Sequence, residues 1–108
     1  MTWHPSSPAV SLKEIECAEC LVLHCWAEWN EYDRVLDSRL SAASTEFRAC
    51  AAFRAADVDE PSLAATLHAW NIVNVPALLL LRQGRKIAVH CGLLSEEDLA
   101  SLLHRWLR

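Results

Sequence analysis

Glycine is nearly absent from this chain. It occurs only at Gly84 and Gly92, and both positions fall where the pattern calls for a turn or a close backbone approach. Long apolar runs are missing too: the densest extends only from Ala77 to Leu81, far short of the ~20 residues that a membrane span needs. The opening Met1-Thr2-Trp3-His4-Pro5 lacks the basic segment and apolar core of a secretory signal, so a cytoplasmic location is expected. Positive charge is in deficit. Ten Lys and Arg stand against fourteen Asp and Glu, for a net charge of -4, which argues against nucleic acid or a membrane surface as partner. Only Arg82, Arg85 and Lys86 lie close together, around a predicted turn, and they read as solvated surface. No internal repeat or low-complexity tract is present.

What remains is an ordinary globular composition, 53% hydrophobic and 22% charged over 108 residues, enough for one domain with its own core. Five cysteines, an odd number, do not make a disulfide framework. Most are expected to be small buried hydrophobes.

Residues 1 to 10, with Pro5, Ser6, Ser7 and Pro8, read as an irregular lead-in. Ser11 and Glu14 form a capping box for a helix through about Glu19, with Leu12 and Ile15 facing inward. Cys20 to Trp26 is apolar on both pleat faces, as a covered central strand should be. Val35, Leu36, Leu40, Ala43 and Phe47 recur at helical spacing from Asn30 onward. A second strand is expected from Cys50 to Ala56, then a helix opening near Pro61 with Leu63, Leu67 and Trp70 inward. Leu78 to Arg82 and Arg85 to Cys91 read as a hairpin around Gln83-Gly84. Ser95 to Asp98 reads as a second capping box, opening a helix striped by Leu99, Leu102, Leu103, Trp106 and Leu107.

The stretch Trp26-Ala27-Glu28-Trp29-Asn30-Glu31-Tyr32-Asp33 follows a buried strand and opens a helix. It resembles the active-site segment of the thioredoxin family, Trp-Ala-Glu-Trp-Cys-Gly-Pro-Cys. Trp70-Asn71-Ile72-Val73-Asn74-Val75-Pro76-Ala77 is similar to the family's second landmark, a cis-proline segment entering a strand, and Cys91-Gly92 stands where a strand ends beside the active site. The resemblance covers residues 11 to 108. It implies an α/β, thioredoxin-like fold: a central mixed sheet of about four strands with helices on both faces. The family's first strand is expected to be short or missing, because residues 1 to 10 leave it little room.

The two cysteine positions of the motif carry Asn30 and Asp33. Neither has sulfur, so no thiol-disulfide exchange can occur there. Asparagine is instead a strong helix N-cap, and Glu31 and Asp33 place carboxylates in the positive first turn. The resemblance sets His24 where the family has a buried Asp, and Ala55 where it has a nearby Lys. His24 shares a pleat face with Val22 and Trp26 and is a candidate hydrogen-bonded partner of Asp33. The other reading is a core histidine bonded to backbone.

Other thiols are candidates for redox chemistry. Cys17 and Cys20 form a Cys-x-x-Cys, but at a helix end, where the dipole and Glu16 and Glu19 should raise both thiol pKa values. Adding His24 and Cys25 gives a zinc-like spacing that strand alternation breaks, so no metal or cofactor is expected. Cys91 falls on the surface that the resemblance makes substrate-facing.

The resemblance also implies a cis Val75-Pro76 bond in a loop that pairs with extended peptides through its backbone. Trp29, Tyr32, Val75, Pro76 and Leu93 would then surround the former active site as an apolar patch. The leading functional expectation is a monomeric, redox-inactive module that binds a protein or extended peptide there. The alternatives are an oxidoreductase acting through Cys17 and Cys20 or through Cys91, and a structural subunit of a complex.

Overall fold

The computed structural model describes residues 3–108. Its elements are α1 (Leu12–Cys17), β1 (Leu21–Trp26), α2 (Glu31–Ser44) continuing into a short 3-10 turn (Thr45–Phe47), β2 (Ala52–Asp57), α3 (Pro61–Ala69), β3 (Ala77–Arg82), β4 (Arg85–Cys91) and α4 (Glu96–Leu107). The sheet order is β2-β1-β3-β4. β1 runs parallel to β2, while β1 with β3 and β3 with β4 are antiparallel. The sheet is therefore mixed, with helices on both faces.

β1 is buried along its whole length because both of its pleat faces are covered. Val22 faces α2 and α4 in a core with Leu36, Leu40, Phe47, Leu78, Leu99 and Leu103. Leu21, Leu23 and Cys25 face the opposite core, with Ile15 from α1 and Leu63 and Leu67 from α3.

Each helix start has a local cause. At α1 the Ser11 N–H donates to Glu14 Oε1 (3.0 Å) and the Glu14 N–H to the Ser11 hydroxyl (3.1 Å), so both halves of a capping box are made. Pro61 occupies the first turn of α3, where its missing N–H costs nothing. Before α4 the Ser95 hydroxyl accepts from the Asp98 N–H (3.1 Å), a single cap rather than the reciprocal box expected, because the Asp98 side chain is a methylene shorter than the Glu or Gln that reaches back.

Ahead of α1, where the resemblance sets a first strand, the described residues make one parallel bridge, Ala9 to Ala55. The lead-in is nevertheless tied down. Ser6 donates through its N–H and its hydroxyl to Asp37 (2.8 and 2.9 Å), and the Trp3 ring stands edge-on to Trp26 at 5.3 Å.

Several expectations change. Leu12 and Val35 are exposed rather than inward: the first helix is too short to carry a wide apolar stripe, and Val35 lies beside the true inner positions, Leu36 and Leu40. The cysteines are not mostly buried: Cys25 is, Cys20 is half-buried, and Cys17, Cys50 and Cys91 are exposed. All three exposed thiols sit at or beyond the end of an element, where the covering layer stops. No helix among the described residues is long and apolar enough to cross a membrane.

Candidate functional site

The site forms where β1 gives way to α2. After Trp26 the chain turns, with the Asn30 N–H donating to the Ala27 carbonyl (3.1 Å). Asn30 then caps α2, its side-chain oxygen accepting from the Tyr32 N–H (3.3 Å).

Asp33, in the first turn, points inward instead of toward solvent and is fully buried with His24. His24 Nε2 lies 2.8 Å from Asp33 Oδ1, and Asp33 Oδ2 accepts from the Ala27 N–H at 3.1 Å. One carboxylate thus ties the central strand, the turn and the helix together.

His24 stands between Ala55 on β2 and Leu78 on β3. Its Nδ1 is buried without a hydrogen-bond partner among the described residues. Orphaned N–H groups are rarer in protein interiors than orphaned acceptors, so the arrangement assigns the ring proton to Nε2, which donates to Asp33, and leaves a lone pair at Nδ1. Asp33 sits in the first turn of α2, at the positive end of the helix dipole. Sealed from solvent, the pair touches nothing that could be a substrate, and its chemistry is that of an internal brace.

The thiols are arranged differently. Cys25, next to His24 in sequence, points to the other sheet face, and its thiol is pushed up to about 12 by burial first, then by Asp33 and Cys91. It is inert as a nucleophile at neutral pH. The Cys20 thiol is also raised, and the leading cause is burial rather than the helix end expected, with Arg82 pulling the other way. Cys17 ends α1, which packs on one sheet face, whereas Cys20 packs against the core of the other.

Most of the side chains expected in the apolar patch are at least partly exposed. Trp29 is 72% exposed and Tyr32 55% exposed, so neither ring packs inward. The Val75-Pro76 peptide is cis. Val75 is half-buried, and Leu93 is 39% exposed. Pro76 is buried, a correction to its place in the expected apolar patch: its ring turns under the loop while its carbonyl accepts from the Gly92 N–H (2.8 Å). Cys91 pairs with Ala77 directly after it and is exposed.

Val73, two residues before Val75 in the same loop, is 81% exposed and is a further apolar candidate that the sequence reading does not single out. The available signal is an apolar residue between Asn71 and Asn74 inside the proline segment. Val75 itself makes no backbone hydrogen bond among the described residues.

The thioredoxin family model matches residues 11–105. Among solved structures, a mutant thioredoxin from Halobacterium salinarum NRC-1 is similar, with a TM-score of 0.77 over 100% of this chain and 97% of that one, at 22% sequence identity. That identity speaks for the fold alone. No curated protein matches the chain.

Proposed function

The chain belongs to the thioredoxin family, and on that footing we propose that it is a redox-inactive member, a module that takes an extended segment of a protein partner at its former active-site surface. The observation that carries this reading is the Val75 backbone. Its N–H and C=O are unbonded within the described residues, and Trp29, Tyr32, Val73 and Leu93, which this reading groups on the same surface, are exposed. A free backbone edge flanked by apolar side chains is what strand addition requires: the main chain supplies affinity and the neighbouring side chains selectivity. No sulfur is needed for it. The module acts as a monomer in the cytoplasm, without cofactor or metal.

The test is capture from a library of extended peptides, followed by binding titrations. Val75→Asp and Tyr32→Ala should each weaken binding at least tenfold, while Cys17→Ser, Cys20→Ser and Cys91→Ser leave it unchanged. If the serine variants abolish capture and the other two do not, the reading fails.

A second reading has one observation in its favour. Cys91 is exposed on the strand that borders the cis-proline loop, a position from which a mixed disulfide with a bound partner is sterically open. Loss of capture in Cys91→Ser alone would select it.

A further inference from the structure

At the opposite end of the central strand the chain carries a second pair of cysteines that no redox motif predicts. Cys20 is the residue before the Leu21–Ala52 pair of the parallel β1/β2 ladder, and Cys50 lies two residues before it on the other side. The Ala52 N–H donates to the Cys20 carbonyl at 3.0 Å, fixing that register. The chain reaches Cys50 by a turn in which the N–H groups of Cys50 and Ala51 both donate to the Phe47 carbonyl (2.9 and 3.1 Å).

Extending the register sets Cys20 opposite Ala51 at a strand spacing of ~4.8 Å, and Cys50 is one Cα step of ~3.8 Å from Ala51. Because Cys50 lies in the turn before β2, strand alternation does not send its side chain to the far face. Its Cα stays within about 9 Å of that of Cys20, a range that includes the span a disulfide bridges. Both cysteines line one open cavity of about 690 Å³, together with Ser41, Ser44 and Arg48. Cys50 is exposed and Cys20 half-buried. The two thiols also sense each other's charge, since Cys50 is among the groups that raise Cys20.

The other coupled pair does not meet the same condition. Cys25 and Cys91 are separated by the whole of β3, each pairing with Ala77, so two strand spacings of ~4.8 Å hold them about 10 Å apart.

We propose that Cys20 and Cys50 form a reversible disulfide, an oxidation-responsive staple between the start of β1 and the chain leaving α2, distinct from the surface where the family does its redox chemistry. The oxidant is a small-molecule disulfide. The exposed Cys50 thiolate attacks one of its sulfurs, a mixed disulfide forms, and one small thiolate leaves and takes up a proton. Cys20 then attacks the Cys50 sulfur, a protein disulfide forms, and the second small thiolate leaves with the second proton. Two protein thiols are oxidised and one small disulfide is reduced to two thiols. The raised Cys20 pKa makes the second step the slower one near neutral pH.

The staple closes the chain between residues 20 and 50 and so restricts the unfolded state more than the folded one. It leaves the surface at Trp29 and Val75 untouched, because β1 separates the two ends of the sheet by six residues, roughly 17–20 Å.

The experiment is equilibration of the full chain in mixtures of reduced and oxidised glutathione, acid quenching, alkylation and mass spectrometry. The expected product is a monomer lighter by two hydrogens. Trypsin then yields the peptide 49–54, which holds Cys50 alone, linked to the peptide 14–34. Cys20→Ser and Cys50→Ser should each abolish the linked species, and Cys17→Ser and Cys25→Ser should each preserve it. The oxidised form should unfold at higher urea than the reduced form, and a reductant should reverse the shift. A link that disappears in Cys17→Ser, a stable mixed disulfide at Cys50 with no internal bond, linked dimers, or five thiols that stay reduced at every ratio would each overturn the proposal.

Discussion

The buried His24–Asp33 contact makes a prediction sharp enough to fail. Replacing His24 with Leu leaves a carboxylate sealed in the core with one oxygen unpaired, a change that costs about 3–5 kcal/mol when it breaks a buried charge-assisted pair. Replacing Asp33 with Val leaves the His24 Nε2–H and the Ala27 N–H without acceptors. At about 1–3 kcal/mol for each orphaned group the loss is about 2–6 kcal/mol. The double variant removes both partners and orphans only the Ala27 N–H, so it should lose about 1–3 kcal/mol, less than either single change by the midpoints of these ranges. The assay is urea unfolding followed by tryptophan fluorescence, which the five tryptophans make possible. With a slope of about 1–1.5 kcal/mol per molar urea for a domain of this size, each single variant should lower the midpoint by about 3–4 M and the double variant should recover about half of that loss. Additive losses, with the double variant at the sum of the singles, would show that the two side chains do not act as a unit and would refute the brace.

Other consequences are more local. Trp29→Ala and Tyr32→Ala remove rings that are largely in solvent, so each should change stability by no more than about 0.5 kcal/mol while weakening peptide capture, read by unfolding and binding on the same samples. Asn30→Ala removes the α2 cap bond to the Tyr32 N–H and should cost about 1 kcal/mol in urea unfolding. Timed alkylation of the folded, reduced protein should label Cys17, Cys50 and Cys91 first and Cys20 more slowly, with Cys25 reacting only after denaturation. Glu14 is held below the usual carboxylate range chiefly by the Ser11 N–H and further by Arg54, with burial opposing. A carboxyl lowered on folding contributes stability above its unfolded value of ~4.3, and the contribution is lost as pH falls below it. The stability gap between wild type and Glu14→Gln should therefore be open at about pH 6 and close toward about pH 3, by under about 1 kcal/mol for so exposed a pair.

The fold was legible because its punctuation is local. A capping box at Ser11, Pro61 in a first turn and the Gln83-Gly84 turn each specify an element boundary by chemistry that operates within a few residues. The misplacements arise where a boundary depends on distant parts of the chain. The helix from Asn30 tightens into a 3-10 turn at Thr45 instead of running unbroken to Phe47, because Phe47 must reach the core beneath α4, where its ring meets His104 edge-on at 5.1 Å. Exposure of the cysteines was misjudged for the same reason. Burial is a property of what covers a residue, and Cys50 and Cys91 lie at positions whose cover the sequence does not state.

The site carries a further lesson about what remains when a dithiol is lost. The family pattern uses the first turn of this helix to stabilise a sulfur anion. Here the same backbone field meets a carboxylate at Asp33, and the strand position beneath it carries His24 in place of an acid. An acid at the strand position would set two buried carboxyl groups near each other, and a histidine there without Asp33 would lack its acceptor on the helix, each costly on its own. Acid on the helix and base on the strand is the arrangement in which both groups are satisfied at their point of contact, and the bond from the Ala27 N–H fixes the turn that displays Trp29. The pairing of Asp33 with both His24 and the Ala27 N–H thus holds the strand, the turn and the helix in the register from which Trp29 and Tyr32 are exposed.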